Sequence, residues 1–162
     1  MPGRASLAAA RYYAHPRNLF WTLIESLLGA RPGLDYPQRL ALLQEHRIAL
    51  WDVIAQCERG SALDNDILES SIVVNDFGSF FAQHPIIDRV FFNGAKAEQA
   101  FRRYVLPGLP SGLRISMTRL PSTSPANAGI SPDAKLEAWR QITPDGTGTS
   151  PAIRPASFSG SR

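Results

Sequence analysis

Apolar residues recur at helical spacing between Asn18 and Leu28, where Leu19, Phe20, Leu23, Ile24, Leu27 and Leu28 share a face. Pro16 lies just ahead of this run and Gly29 just behind it, where helices tolerate proline and stop at glycine. The pattern predicts a helix over residues 18–28. A second helix is expected over about Pro37–Glu45, carrying Leu40, Leu42 and Leu43. The stretch IALWDVI, Ile48–Ile54, has strand composition with Asp52 near its end. SSIVVNDF fits either a short strand or a loop entering a helix capped by Asn75 or Asp76. RVFFNG, Arg89–Gly94, is a buried-type strand closed by glycine, and the helical AKAEQAFRRYV follows it. LRISMTRL is a further strand that runs into PSTSPANAG, and a last helix starts near Ser131-Pro132 and passes Leu136 and Trp139. Strands alternating with helices indicate an α/β sandwich with a largely parallel sheet.

Composition narrows this picture. The chain has 162 residues, 44% hydrophobic and 19% charged, which suits one globular domain with a sizeable core. The domain is read over residues 1–142; residues 143–162, poor in core formers, are expected to form a disordered tail. A net charge of +3, dominated by arginine, suits a polyanionic partner without requiring one. The single cysteine, Cys57, excludes an intramolecular disulfide and a four-cysteine metal or iron–sulfur site within one chain. His15, His46 and His84 are scattered, so no metal-ligand spacing emerges and no metal or cofactor is expected. No long apolar run or signal peptide is present, which points away from membranes and toward a reducing compartment, the cytoplasm.

Candidate chemistry gathers where strands end. In open α/β sheets sites form at the carboxyl ends of strands, where the pattern places Asp52, Asn93-Gly94 and the Ser122–Asn127 loop. RYYAHPRNLFW, residues 11–21, lies on a loop and helix start that face the same edge. Asn18 at that boundary either caps the following helix, the commonest task for such a residue, or orients a water molecule through its side-chain carbonyl. Tyr12, Tyr13, Phe20 and Trp21 are usual core residues, yet a flat heterocycle needs apolar faces above and below it. His15 and Arg17 are either solvated or placed to contact phosphate. Asp52 is either tied structurally by hydrogen bonds or kept to accept one from a ligand N–H. Asn93 either closes a turn or, beside a glycine that permits close approach, reads a ligand.

Four ordered stretches carry a family resemblance: MPGRASL with RYYAHPRNLFW, then ALWDVIAQCERGSALDNDI, then VFFNGAKA, then LPSTSPANA. Together they resemble the hypoxanthine (deoxyinosine) DNA glycosylase branch of the uracil-DNA glycosylase superfamily, over about Met1 to Ile142. The resemblance implies a three-layer α/β/α sandwich with a mostly parallel central sheet, a domain that flips a deaminated base, hypoxanthine or uracil, out of single- or double-stranded DNA and hydrolyses its glycosidic bond. It maps the water-positioning residue onto Asn18 and base recognition onto Asp52; the reading of the residues themselves adds Tyr13, Phe20 and Asn93 to the base pocket. It maps phosphate contacts onto Ser122, Thr123 and Ser124, with Ala126 or Asn127 at the wedge position; His15 and Arg17 join them as DNA contacts from the reading of the residues, on phosphate or on the departing base. A monomer acting on nucleoid DNA, without metal or cofactor, is the implied working form.

One departure stands out. Relatives carry a strand ahead of a Gly-Ser-Met-Pro-Gly motif, whereas this sequence begins Met1-Pro2-Gly3. The expectation is therefore a glycosylase-like sheet lacking its first strand, or a translation start further upstream. Two other readings stand beside the enzyme: a catalytically inactive DNA-binding or damage-sensing relative, and a nucleoside hydrolase.

Overall fold

The computed structural model describes residues 3–58 and 68–143. The expected tail and the stretch 59–67 lie outside the described residues.

Six helices and four strands make up the regular structure described: α1 (Arg4–Ala9), α2 (Phe20–Leu27), α3 (Tyr36–Glu45), β1 (Ile54–Gln56), β2 (Val73–Val74), α4 (Phe77–Gln83), β3 (Arg89–Asn93), α5 (Ala95–Ala100), β4 (Ser116–Leu120) and α6 (Pro132–Trp139). Short 3-10 turns and one π-helical turn, Phe101–Val105, fill the connections. β3 and β4 pair in parallel, from Arg89 opposite Ser116 to Asn93 opposite Leu120. The α5 crossover between them is the kind of connection parallel pairing requires.

Side-chain alternation along β3 separates two cores. Phe91 packs toward a cluster built by Phe20, Trp21, Ile24, Leu43, Leu120 and Trp139, whereas Phe92 enters one built by Ile54, Phe77, Phe81, Phe101 and Val105. Helices α2, α3 and α6 thus supply one face and α4 and α5 the other, which is the layered α/β arrangement. Each fully buried leucine, isoleucine or phenylalanine contributes about 1.5–3 kcal/mol, so these clusters hold the layers. Two further ties join α2 to α3. The buried Glu25 accepts from Arg39 Nε at 2.7 Å and from the Gly33 amide at 3.0 Å, and a capping box of Asp35 and Gln38 starts α3.

The sheet departs from the expected mostly parallel one. Among the described residues it consists of two separate pairs, β1–β2 antiparallel and β3–β4 parallel. Only a 3-10 turn, Glu69–Ser71, is described between β1 and β2. β1 is also shorter and later than the expected Ile48–Ile54, so Asp52 precedes the strand instead of ending it. Ahead of it, Asn75 donates through Nδ2 to the Asp52 carbonyl at 2.7 Å and through its amide to the Val53 carbonyl at 3.1 Å. SSIVVNDF is both things it might have been: β2 runs into α4, and Asp76 caps that helix by accepting from the Ser79 amide.

Candidate functional site

Three of the four polar features expected at one edge meet there through Tyr13. Its φ of +52° is left-handed, a conformation a tyrosine adopts only where its surroundings hold it. The ring stacks on Phe20 with centroids 4.0 Å apart, and the hydroxyl is hydrogen-bonded to the Asn93 side chain. Asn93 in turn donates through Nδ2 to Thr123 Oγ1 at 2.8 Å and accepts the Thr123 amide on Oδ1 at 2.9 Å. The Thr123 carbonyl accepts the Leu19 amide at 3.1 Å, joining this hub to the start of α2. Gly94 completes the close fit: at φ +95° it lies against Ser122, whose Cβ would sit 2.9 Å from any Cβ added there. Tyr12 reaches the other feature, with its hydroxyl hydrogen-bonded to the Asp52 backbone. Its amide donates to Tyr36 Oη at 3.1 Å, and its carbonyl accepts Trp21 Nε1 at 2.9 Å.

Burial, followed by the nearby Asp52 charge, raises the Tyr12 phenol above its ordinary range. Burial likewise pushes the Tyr13 phenol up to about 12 from an ordinary 10.0, against the opposing Asn93 hydrogen bond. The folded chain therefore keeps this proton after the unfolded chain has released it. The stabilisation is complete below pH 10.0 and disappears as pH rises toward about 12, at a slope of up to about 1.4 kcal/mol per pH unit. Denaturant titrations at stepped alkaline pH are expected to show this decline in the natural chain and a shallower one in Tyr13→Phe. Identical declines would assign the loss to other groups.

Asn18 is half-buried. Its amide donates to the His15 carbonyl at 2.9 Å, and from one residue ahead of the N-cap position Leu19 its Oδ1 accepts the amide of Phe20, the first residue of α2, at 3.0 Å, satisfying a helix-start N–H as a capping residue does. An amide oxygen carries two lone pairs, and the cap uses one. Asn18 lines a cleft of about 460 Å³ that Arg11, Tyr12, His15, Tyr36 and Arg39 also border. Arg11 lies over the Tyr36 ring and Arg39 over Trp21, so the cleft combines aromatic faces with two cations. His15 Nδ1 accepts the Arg17 amide at 3.1 Å and Arg17 extends into solvent.

The loop 121–130 is organised by its own hydroxyls. Ser122 Oγ accepts the Ser124 amide at 3.2 Å, Ser124 Oγ accepts the Ala126 amide at 3.3 Å, and Asn127 Nδ2 donates to the Ser122 carbonyl at 3.1 Å. Each serine thus accepts a backbone amide through Oγ, and its O–H remains a donor group.

Three expected contacts are placed otherwise by the structure. Thr123 is 0% exposed with its amide and hydroxyl both bound to Asn93, so its part is to shape the loop from within. Phe20 is 4% exposed, enclosed by Tyr13, Trp21 and Trp139, and belongs to the core. Asn93 has both ends of its amide engaged by Thr123 and Tyr13, which makes it the hub of the site. Two residues missed from the sequence also matter. Asn75 sets the path of the Asp52 backbone, and Lys135 donates to the Asn127 carbonyl at 2.7 Å. Lys135 had a legible signal, since it lies four positions before the core Trp139 and therefore on the inward face of α6. Among the described residues no three His, Cys, Asp or Glu side chains gather as metal ligands would, and no helix is long and apolar enough to cross a membrane.

No family model matches the chain. It is 30% identical over 143 residues to a hypoxanthine DNA glycosylase of Methanosarcina acetivorans, covering 88% of this chain and 85% of that protein. It is 35% identical over 98 residues to a hypoxanthine DNA glycosylase of Methanosarcina barkeri, covering 60% of this chain and 61% of that one. A solution NMR structure from Methanosarcina acetivorans, described as a candidate uracil DNA glycosylase, superposes with a TM-score of 0.69 at 28% identity, over 87% of this chain and 85% of that one. The layered fold is thus that of the uracil-DNA glycosylase superfamily. Within it, the chain belongs to the hypoxanthine DNA glycosylase family.

Proposed function

We propose that the chain is a monofunctional DNA glycosylase that extrudes deaminated bases, hypoxanthine first and uracil second, and hydrolyses the bond between base and sugar. The observation that carries this reading is the meeting of the Tyr12–Asn18 loop, Asp52, Asn93-Gly94 and the Ser122–Asn127 loop around Tyr13. The nearby cleft of about 460 Å³ falls within the size range of small-ligand pockets.

Asn18 holds the attacking water on the lone pair its cap leaves open. Positive charge develops on the sugar as the bond to the base lengthens, so a weakly basic, well-aimed amide suffices. The base departs as an anion stabilised by hydrogen bonds in the pocket. Tyr13 supplies an aromatic surface, and Asp52 accepts from the imide-like N–H that deamination creates. Ser122 and Ser124 hold the phosphates flanking the extruded nucleotide, Asn127 takes the wedge position, and His15 and Arg17 add polar and cationic contacts. Neither lysine suits a Schiff-base route, Lys135 because it is buried against the Asn127 carbonyl. The protein acts as a monomer on nucleoid DNA, starting base excision repair.

Incubation with a deoxyinosine-containing oligonucleotide followed by alkaline cleavage tests this directly. Strand scission is the expected result. DNA binding without abasic-site formation would instead mark an inactive reader of damage, and hydrolysis confined to free inosine a nucleoside hydrolase. Asp52→Asn replaces an acceptor by a group that also donates, so hypoxanthine and uracil are expected to change rank by tenfold or more, about 1.4 kcal/mol. An unchanged ranking removes Asp52 from base recognition.

A further inference from the structure

We infer that Lys135 is a positioning residue for DNA: its buried ammonium stands beneath the 121–130 loop as the fixed counter-charge for a backbone phosphate seated there. The inference rests on the proposed function and adds to it a residue that no sequence motif marks.

Helix α6 clamps the loop at both ends. At one end Trp139 Nε1 donates to the Pro121 carbonyl at 2.9 Å. At the other, Lys135 Nζ donates to the Asn127 carbonyl at 2.7 Å. The first clamp is neutral, and a neutral donor would hold the second carbonyl equally well. Instead the position carries a full charge on a side chain that is 2% exposed. None of the ion pairs among the described residues includes Lys135. Among the described residues this ammonium, withdrawn from water, has one neutral acceptor and no carboxylate partner, an arrangement that costs the free protein stability.

That penalty is lifted when an anion arrives nearby. The ammonium is bonded to the carbonyl of Asn127, which is half-exposed on a loop whose half-buried Ser122 and Ser124 accept backbone amides through Oγ and can donate their O–H groups to an anion. A phosphate held by Ser122 and Ser124 would therefore lie above a positive charge in a medium less polar than water, where attraction is less screened than on the surface. Lys135 touches neither phosphate nor base; it acts through the Asn127 carbonyl and through its field. The Asn127 contact also fixes the wedge residue, so a change at Lys135 is felt in DNA affinity before it is felt in turnover.

The deciding experiment measures binding of a deoxyinosine duplex by fluorescence anisotropy at salt concentrations from about 50 to 200 mM, for the natural chain, Lys135→Met, Lys135→Gln and Lys135→Arg. Lys135→Met and Lys135→Gln are expected to bind about tenfold more weakly at low salt, with a log–log salt slope shallower by about one. Their melting temperatures should hold or rise, since an unpaired buried charge has gone. Lys135→Arg should keep the natural slope. Gln retains a donor for the Asn127 carbonyl, so it supplies the measurement if the methionine variant does not fold. If the natural chain binds DNA with a salt slope that both neutral variants reproduce, the inference is overturned while the proposed function stands. Salt-independent binding by the natural chain, or none, removes the proposed function and the inference with it.

Discussion

Replacing Asn18 with alanine is expected to lower turnover on a deoxyinosine substrate by about 10²- to 10⁴-fold, the range for losing a positioned group that activates the nucleophile. DNA affinity should change by less than about threefold, because the groups proposed to hold the backbone lie on the 121–130 loop. Asn18 also caps α2, so the same substitution removes the hydrogen bond to the Phe20 amide and costs about 1 kcal/mol of stability. The two losses are separable. Asn18→Ser keeps a side-chain acceptor for the cap but withdraws it from the cleft, so it should restore the melting temperature and leave turnover low. Single-turnover assays beside thermal melts read both quantities. A serine variant as active as the natural chain would reduce Asn18 to a helix cap and end the proposed mechanism.

Asn93→Leu should have the largest effect on stability. Leucine is close to asparagine in size and offers no hydrogen bonds, so the Thr123 amide, the Thr123 hydroxyl and the Tyr13 phenol lose their partner together. Each buried polar group left unpaired costs about 1–3 kcal/mol. Because the three share one residue, the losses overlap, and about 3–5 kcal/mol is expected, a fall of roughly 10 °C in melting temperature for a domain of this size. Thr123→Val on the Asn93→Leu background should then add little, since the bond it would break is already gone. A melting temperature within about 3 °C of the natural value would mean that water or a shifted side chain replaces Asn93. Tyr13 would then need another explanation for its left-handed backbone.

Most elements were legible because their causes are local. The spacing of Phe20, Leu23, Ile24 and Leu27 suffices for α2, Ser131-Pro132 for the start of α6, and the apolar run of RVFFN ahead of a glycine for β3. The convergence of polar positions was also legible in outline, since an α/β chain brings loops at strand ends to one edge. Of IALWDVI only Ile54 enters a strand, and the partner of the Asp52 and Val53 carbonyls, Asn75, lies more than twenty positions away, where no local pattern contains it. The strand pairing was less legible: among the described residues one pair is parallel and the other antiparallel, and pairing depends on which backbone lies alongside, which no local pattern contains.

By itself, the sequence determined the layered α/β class, the helix starts and stops, and the four stretches that mark the family. Tertiary structure alone decided which of the candidate side chains are enclosed and which remain available to a ligand. Thr123 and Phe20 went inside, Asn93 became a hub, and a lysine outside every motif came to rest beneath the loop. The physical reason is that periodicity and capping are set within one turn of chain. Hydrogen-bond partners and burial are instead chosen among groups brought together from distant positions, and a residue's chemistry depends on that choice.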